Sequence, residues 1–244
     1  MAPAARQRGF SVLELLISVG IVAILLGLLV PALSLAREGA RTTVCSSNLR
    51  QIGLGWQGYL NDHEAFPAYS DLPEWRYGGA RFVGPDKRPL LDEHRPINPY
   101  IAGDSDATGR TFAEIFHCPS DFGVTLTSAG VSGASATAGL PVFEYYGSSY
   151  RANHFLLDAQ AVDPFRDAGP LAVAEVHVPP SSLLIAGDAQ WHIALSKQAM
   201  DASWHKRPSA GNMLAQDGSV RFTTFTAEPR GYTVYPFPEK PPAR

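Results

Sequence analysis

The chain has 244 residues, 45% of them apolar, and a formal net charge of −3. That length accommodates one N-terminal membrane element and one globular domain of ordinary size, and argues against a second full domain. The basic residues are scattered, which leaves no electrostatic footprint for nucleic acid, and the two cysteines lie outside any Cys-x-x-Cys or Cys/His zinc spacing.

Residues 1–9 carry Arg6 and Arg8 and no acid; Gly9 leads into Phe10-Ser11-Val12-Leu13-Glu14, and no charged residue occurs from Leu15 to Ala36. As a helix that uncharged stretch spans roughly 33 Å at about 1.5 Å per residue, the thickness of a bilayer's hydrocarbon core. The leading arginines favour a cytoplasmic N-terminus, although Arg37 and Arg41 on the far side weaken the asymmetry. Three readings compete: a cleaved secretory signal, with small residues at Ser34 and Ala36; a plain signal anchor; and a prepilin-type signal. The apolar run exceeds an ordinary signal's hydrophobic region, and Glu14 sits inside its start. A carboxylate near the membrane core costs roughly 2.5–3.5 kcal/mol and calls for a cationic partner. Cleavage between Gly9 and Phe10 would create one, a new α-amino group at Phe10 with Glu14 as the fifth residue after it.

The segment Arg8-Gly9-Phe10-Ser11-Val12-Leu13-Glu14-Leu15-Leu16 resembles the class III signal of type IV pilins and type II secretion pseudopilins. The resemblance implies that prepilin peptidase cuts after Gly9 on the cytoplasmic face and N-methylates Phe10. It further implies that Glu14 serves assembly and that Pro31 stands where many members carry a helix-kinking proline. Read without the family, Pro31 is simply where a helix bends or stops.

Beyond Ala36 the sequence turns amphipathic, with Val44, Asn48, Ile52, Trp56 and Leu60 at fourfold spacing and Leu49 and Tyr59 beside them. This predicts a continuing helix ending near Asn61. Gly53, Gly55 and Gly58 weaken it, so packing against another element must hold that end. The run Cys45-Ser46-Ser47-Asn48-Leu49-Arg50-Gln51-Ile52 resembles a pilin-like subfamily common in planctomycete- and verrucomicrobia-type genomes. Tyr59, Pro67, Cys118-Pro119-Ser120-Asp121, Ser149-Tyr150, Asn153 and a C-terminal His…Asp-Gly element extend the likeness. Here eleven residues separate His205 from Asp217-Gly218, two more than the subfamily's nine. Cys45 and Cys118 are either bridged, if the domain lies outside the cytoplasm, or two buried thiols.

Residues 68–117 read as irregular, with a short helix near Phe112–Phe116, and residues 123–141 as a mobile loop rich in Gly, Ala, Ser and Thr. Strands are expected at Val142–Tyr146, Ser149–Leu157, Leu171–Val178 and Ser182–Ala189. A hairpin is expected from Asn212 to Phe225, turning on Asp217-Gly218 with both residues at positive φ. The Pro-rich tail after Glu228 reads as extended or frayed. Asp188, His192, His205, Asn212 and Asp217 are the potential ligands a sheet would gather; two histidines do not suit a hard calcium cage, so no metal is expected, with Asp188, His205 and Asp217 the residues to watch. No Gly-x-Ser-x-Gly elbow occurs, and Trp75, Trp191 and Trp204 are either core or a binding surface.

The expected fold is α+β and pilin-like: a long N-terminal helix, transmembrane in its first half, packed on a C-terminal antiparallel sheet with long loops. Its divisions are a leader at 1–9, a membrane and assembly helix at 10–36, an amphipathic helix at 37–61, an extracytoplasmic domain at 62–228 and a tail at 229–244. The expected role is a non-enzymatic, cofactor-free filament subunit whose partners are prepilin peptidase, sister pilins or pseudopilins and inner-membrane lipid. The alternative is an envelope binding module that uses the helix only as signal or anchor.

Overall fold

The computed structural model describes residues 11–68, 73–80, 94–101, 114–123, 125–126, 140–158, 169–195, 200–201, 204–207, 209–225 and 231–237. The readings for Gly9 and Phe10, for most of the loop at 123–141 and for the end of the tail fall outside these residues. The chain divides into two compact units, 1–40 and 41–244, each taken by itself below.

One helix, α1, runs from Val12 to His63 with Pro31 inside it. In the first unit its large apolar side chains, Leu13 to Leu35, are exposed. In the second unit its buried face is Cys45, Asn48, Leu49, Ile52 and Trp56. Of the fourfold series only Val44 points outward; Asn48, Ile52 and Trp56 are buried, Leu60 packs against the core, and Cys45 and Leu49 widen the stripe. The glycines of its last turns allow close approach: a Cβ at Gly55 would lie 2.6 Å from Ile97 Cγ2 and 2.5 Å from Ile101 Cγ1. That is the packing which holds the weak helix end. Asn48 is tolerated on the apolar face because its Nδ2 donates to the carbonyls of Glu114, at 3.4 Å, and His117, at 3.0 Å.

Opposite α1 lies a four-stranded antiparallel sheet in the order β2 (Tyr150–Ala152), β3 (Leu184–Asp188), β5 (Ala210–Ala215), β6 (Val220–Thr224). A separate pair is formed by β1 (Thr125–Leu126) and β4 (Met200–Asp201). The central strands are buried along their whole length, and alternate residues of β5 face different layers. Leu214 joins the core under α1, with Leu49, Ile52, Trp56, Tyr77 and Phe116; Met213 and Ala215 join a second cluster with Leu184, Trp191, Phe225, Tyr232 and Val234. Residues 231–237 are therefore packed rather than frayed: Thr233 N donates to Ser182 O, Leu184 N donates to Thr233 O, and Tyr232 and Val234 are buried.

Several strand predictions are corrected. Val142–Tyr146 is a helix despite its β-forming residues, because Asp121 caps it from afar. Its Oδ1 accepts from Val142 N at 2.9 Å and its Oδ2 from Phe143 N at 2.8 Å, and Gly147, at φ 78°, closes the other end. The stretch Ser149–Leu157 is half strand, half helix: after β2, Asn153 Oδ1 accepts from Phe155 N and starts the helix His154–Leu157. Leu171–Val178 contributes one bridge, Ala172 to Ala65, and then a 3₁₀ turn at Val173–Glu175. The β5–β6 hairpin forms, but only Gly218 has positive φ. Ala215 N donates to Ser219 O and Gly218 N to Ala215 O, so the turn is a three-residue loop with glycine in the left-handed position. Near Phe112–Phe116, residues 114–115 are helical. Trp75, Trp191 and Trp204 are all buried.

Candidate functional site

The start of α1 has a local architecture that sequence reasoning overlooked. Ser11 N donates to Glu14 Oε2 at 2.9 Å, and Leu13 N donates to Ser11 Oγ at 3.3 Å. Ser-x-x-Glu is a capping box, which satisfies two of the helix's free N–H groups and places a carboxylate at the positive end of the helix dipole. Glu14 thus has a use within its own chain before any partner arrives. Behind it the helix is long and apolar enough to cross a membrane.

In the second unit the polar side chains converge on a disulfide. Cys45, on α1, and Cys118 are joined with their Cα atoms 5.1 Å apart, and both are buried. Beside them His205 Nε2 lies 3.7 Å from Cys118 Sγ and 3.0 Å from Asp188 Oδ2. Its Nδ1 lies 3.1 Å from Thr42 Oγ1. The backbone of His205 is left-handed, φ 57°, an unusual state for a side chain of this size, and it sets the ring inside the domain. Asp188 Oδ2 also accepts from Asn212 N at 2.7 Å and Asn212 Nδ2 at 3.3 Å, whereas Asp188 Oδ1 is buried with no hydrogen-bond partner among the described residues. Gly211 makes room for this carboxylate, since a Cβ there would fall 2.8 Å from Oδ2.

Of the predicted ligand set the fold thus unites Asp188, His205 and Asn212, and leaves two members out. Asp217 sits in the hairpin turn, where its Oδ1 accepts from Ser219 N, and His192 lies against His154. The two halves of the His…Asp-Gly element therefore serve different places. Other residues of the subfamily likeness are ties between backbone segments. Asp121 accepts from Gly123 N, Val142 N, Phe143 N and Ser149 Oγ, the last at 2.7 Å, and Cys118 N donates to Ser149 Oγ. Burial pushes the Asp121 carboxyl above its ordinary range, against the pull of those four donors. Asn153 Nδ2 donates to the carbonyls of Leu184 and Val234, which pins the C-terminal segment to β3.

A second polar cluster, of which only His192 and Trp75 stand out in the sequence, gathers around Arg151. Arg151 is buried, paired at 2.6 Å with Glu74 and stacked over Trp75, and next to it the His154 and His192 rings meet edge to face at 5.5 Å between centroids. Burial and then the Arg151 charge lower His154 to about 4 and hold His192 well below the ordinary range; the Asp158 carboxylate pulls His154 the other way. Both folded values lie under the unfolded value of about 6.5, so the contribution is complete above that pH and is lost as the pH falls from about 6.5 towards about 4. For His154 the loss is on the order of 2–3 kcal/mol. Denaturant midpoints at neutral pH and near pH 4.5 check this: the His154→Gln, His192→Gln double variant should lose markedly less stability over that interval than the wild type.

Taken together, the exposed apolar helix with a capped glutamate at its head and the disulfide-tied α+β domain define a prepilin-like protein of the type IV pilin and pseudopilin class, with one helix among the described residues that fits a single-pass membrane anchor. Residues 34–164, more than half of the chain, match the family described as "Protein of unknown function (DUF1559)", and the chain belongs to that family. Residues 4–30 match the "Prokaryotic N-terminal methylation motif". Neither description names an enzymatic activity. No curated protein and no solved structure matches the chain.

Proposed function

We propose that the chain is a filament subunit made as a precursor. Prepilin peptidase removes residues 1–9 on the cytoplasmic face by cutting after Gly9 and methylates Phe10. Residues 10–36 then hold the protein in the inner membrane with the C-terminal domain outside, until the helix is drawn into a type IV pilus or a type II secretion pseudopilus. The observation that carries this reading is the union of the methylation motif at 4–30 with a helix whose apolar side chains from Val12 to Leu35 have no cover of their own. Lipid covers them before assembly, and sister helices cover them in the filament.

Glu14 supplies the test, because capping and assembly make different demands on it. Glutamine also accepts from Ser11 N in a capping box but carries no charge to pair with the methylated amine of a neighbouring Phe10. Glu14→Leu and Glu14→Gln chains should both insert and be processed, and both should enter filaments at least tenfold less than the wild type, measured by quantitative blotting of sheared filaments. Wild-type assembly by Glu14→Gln would reduce this residue to a helix cap. A chain that is found alone in the membrane, never with sister subunits, would instead be an anchored binding module of the envelope.

A further inference from the structure

Among the described residues one group of metal-type ligands comes together: Cys45 Sγ, Cys118 Sγ and a ring nitrogen of His205 all lie within 4.8 Å of one another, and all three residues are buried. In the disulfide form the group holds no ion, since both sulfurs are committed to each other. We propose that reduction of this disulfide converts the position into a closed site for one thiophilic divalent cation of the zinc type, with Cys45, Cys118, His205 Nε2 and Asp188 as ligands.

Three ligand atoms are already gathered, and a fourth group, Asp188, lies beside the histidine. With metal–sulfur bonds of about 2.3 Å and metal–nitrogen or metal–oxygen bonds of about 2.0–2.1 Å, tetrahedral geometry requires N–S edges of about 3.5 Å and N–O edges of about 3.3 Å. The separations from His205 Nε2 are 3.7 Å to Cys118 Sγ and 3.0 Å to Asp188 Oδ2. The sulfur–sulfur edge has to open to about 3.8 Å on the same geometry, and Asp188, which is not one of the three residues gathered within 4.8 Å, has to close on the sulfurs. Thr42 at Nδ1 fixes the ring so that Nε2 is the atom turned to the sulfurs, the outer support a ligating histidine needs. Independently, Asp188 is a fully buried carboxylate whose Oδ1 has no hydrogen-bond partner among the described residues and so keeps lone pairs that a cation could take up. Two thiolates and one carboxylate around a divalent ion leave one negative charge, less than an all-cysteine site carries. The soft donors select zinc-type ions over calcium or magnesium.

The exchange balances with a dithiol as reductant. The Cys45–Cys118 bond breaks, each sulfur takes up one electron and one proton, and the reductant's two thiols close to a disulfide. The ion then displaces both thiol protons into solvent as two metal–sulfur bonds form, and the proton shared by His205 Nε2 and Asp188 Oδ2 in the disulfide form leaves that pair, so that the ring carries its hydrogen on Nδ1, facing Thr42, and Nε2 can ligate. Oxidation reverses the sequence and expels the ion. Reducing conditions are those of the cytoplasm, where the chain is made, and of any dithiol oxidoreductase that acts on it afterwards.

The test uses the full chain in detergent, oxidised or reduced with a phosphine under anaerobic conditions, and titrated with Co²⁺ as the probe. The reduced chain is expected to bind one ion with a thiolate-to-cobalt charge-transfer band that Zn²⁺ bleaches, and Zn²⁺ should raise the melting temperature of the reduced form alone; the oxidised chain should give no band. His205→Gln should weaken binding at least tenfold. Because that variant is in the core, Thr42→Val, which spares every ligand, provides a second measure with an expected weakening of several-fold. Absence of a thiolate band in the reduced chain, whether it stays folded or fails to refold with the ion, overturns the proposal. A band that survives His205→Gln and Thr42→Val unchanged overturns it as well, since two loose thiols would then suffice.

Discussion

A chain with Cys45 and Cys118 both replaced by alanine is expected to lose about 4 kcal/mol of stability, because the bridge closes a loop across a sequence separation of 73 residues. That is a large share of the roughly 5–15 kcal/mol that holds an ordinary domain together. The loss has a structural direction as well. The bridge ties α1 to the segment carrying Asp121, and Asp121 in turn caps the helix Val142–Tyr146 and receives Ser149. Without the bridge, that hub and the His205 region beside it should become the first parts to open, while the β5–β6 hairpin keeps its register. Denaturant titration of the oxidised wild type against the double variant measures the first effect, and hydrogen exchange at Val142 and Phe143 against Met213 and Leu214 measures the second. A difference below about 1 kcal/mol would mean that native-state strain or residual unfolded-state structure cancels the loop term.

How far the sequence could be read depended on whether an element's cause lay close to it in the chain. The apolar run, the amphipathic continuation of α1 and the hairpin around Asp217-Gly218 all carry their determinants within a few residues, and each forms. The helix Val142–Tyr146 does not: its residues favour strand, and the carboxylate that caps it sits at Asp121, about twenty positions upstream. Likewise nothing local announces that Glu74, Arg151, His154 and His192 share one neighbourhood. The capping box at Ser11 and Glu14 was legible in principle, since Ser-x-x-Glu before an apolar run is a known start signal. The membrane cost of Glu14 points to an intermolecular cation and so masks this local cap. The candidate ligands divided for a similar reason: Asp188 and Asn212 lie on the paired strands β3 and β5, whereas Asp217 had already been claimed by the turn.

Replacing Gly9 with a bulky residue is expected to abolish processing, so that only full-length precursor is recovered and none of it enters filaments. The physical case begins with the position of the helix. The first helical residue among those described is Val12 and the cap is Ser11, so the helix does not need the residues on the N-terminal side of its cap in order to form. Glycine lets an enzyme's backbone approach the bond between Gly9 and Phe10 with no Cβ in the way. On the proposed reading, Arg6 and Arg8 favour the cytoplasmic side for that bond, where prepilin peptidase would cut it. N-terminal mass spectrometry of membrane-extracted protein checks each step: the wild type should begin at N-methylated Phe10, and Gly9→Leu should begin at or near Met1. A wild-type terminus at Arg37 would instead mark cleavage after Ala36 by an ordinary signal peptidase. That cut would remove Glu14, Pro31 and the whole apolar segment, leaving a secreted domain with no helix able to enter a filament core.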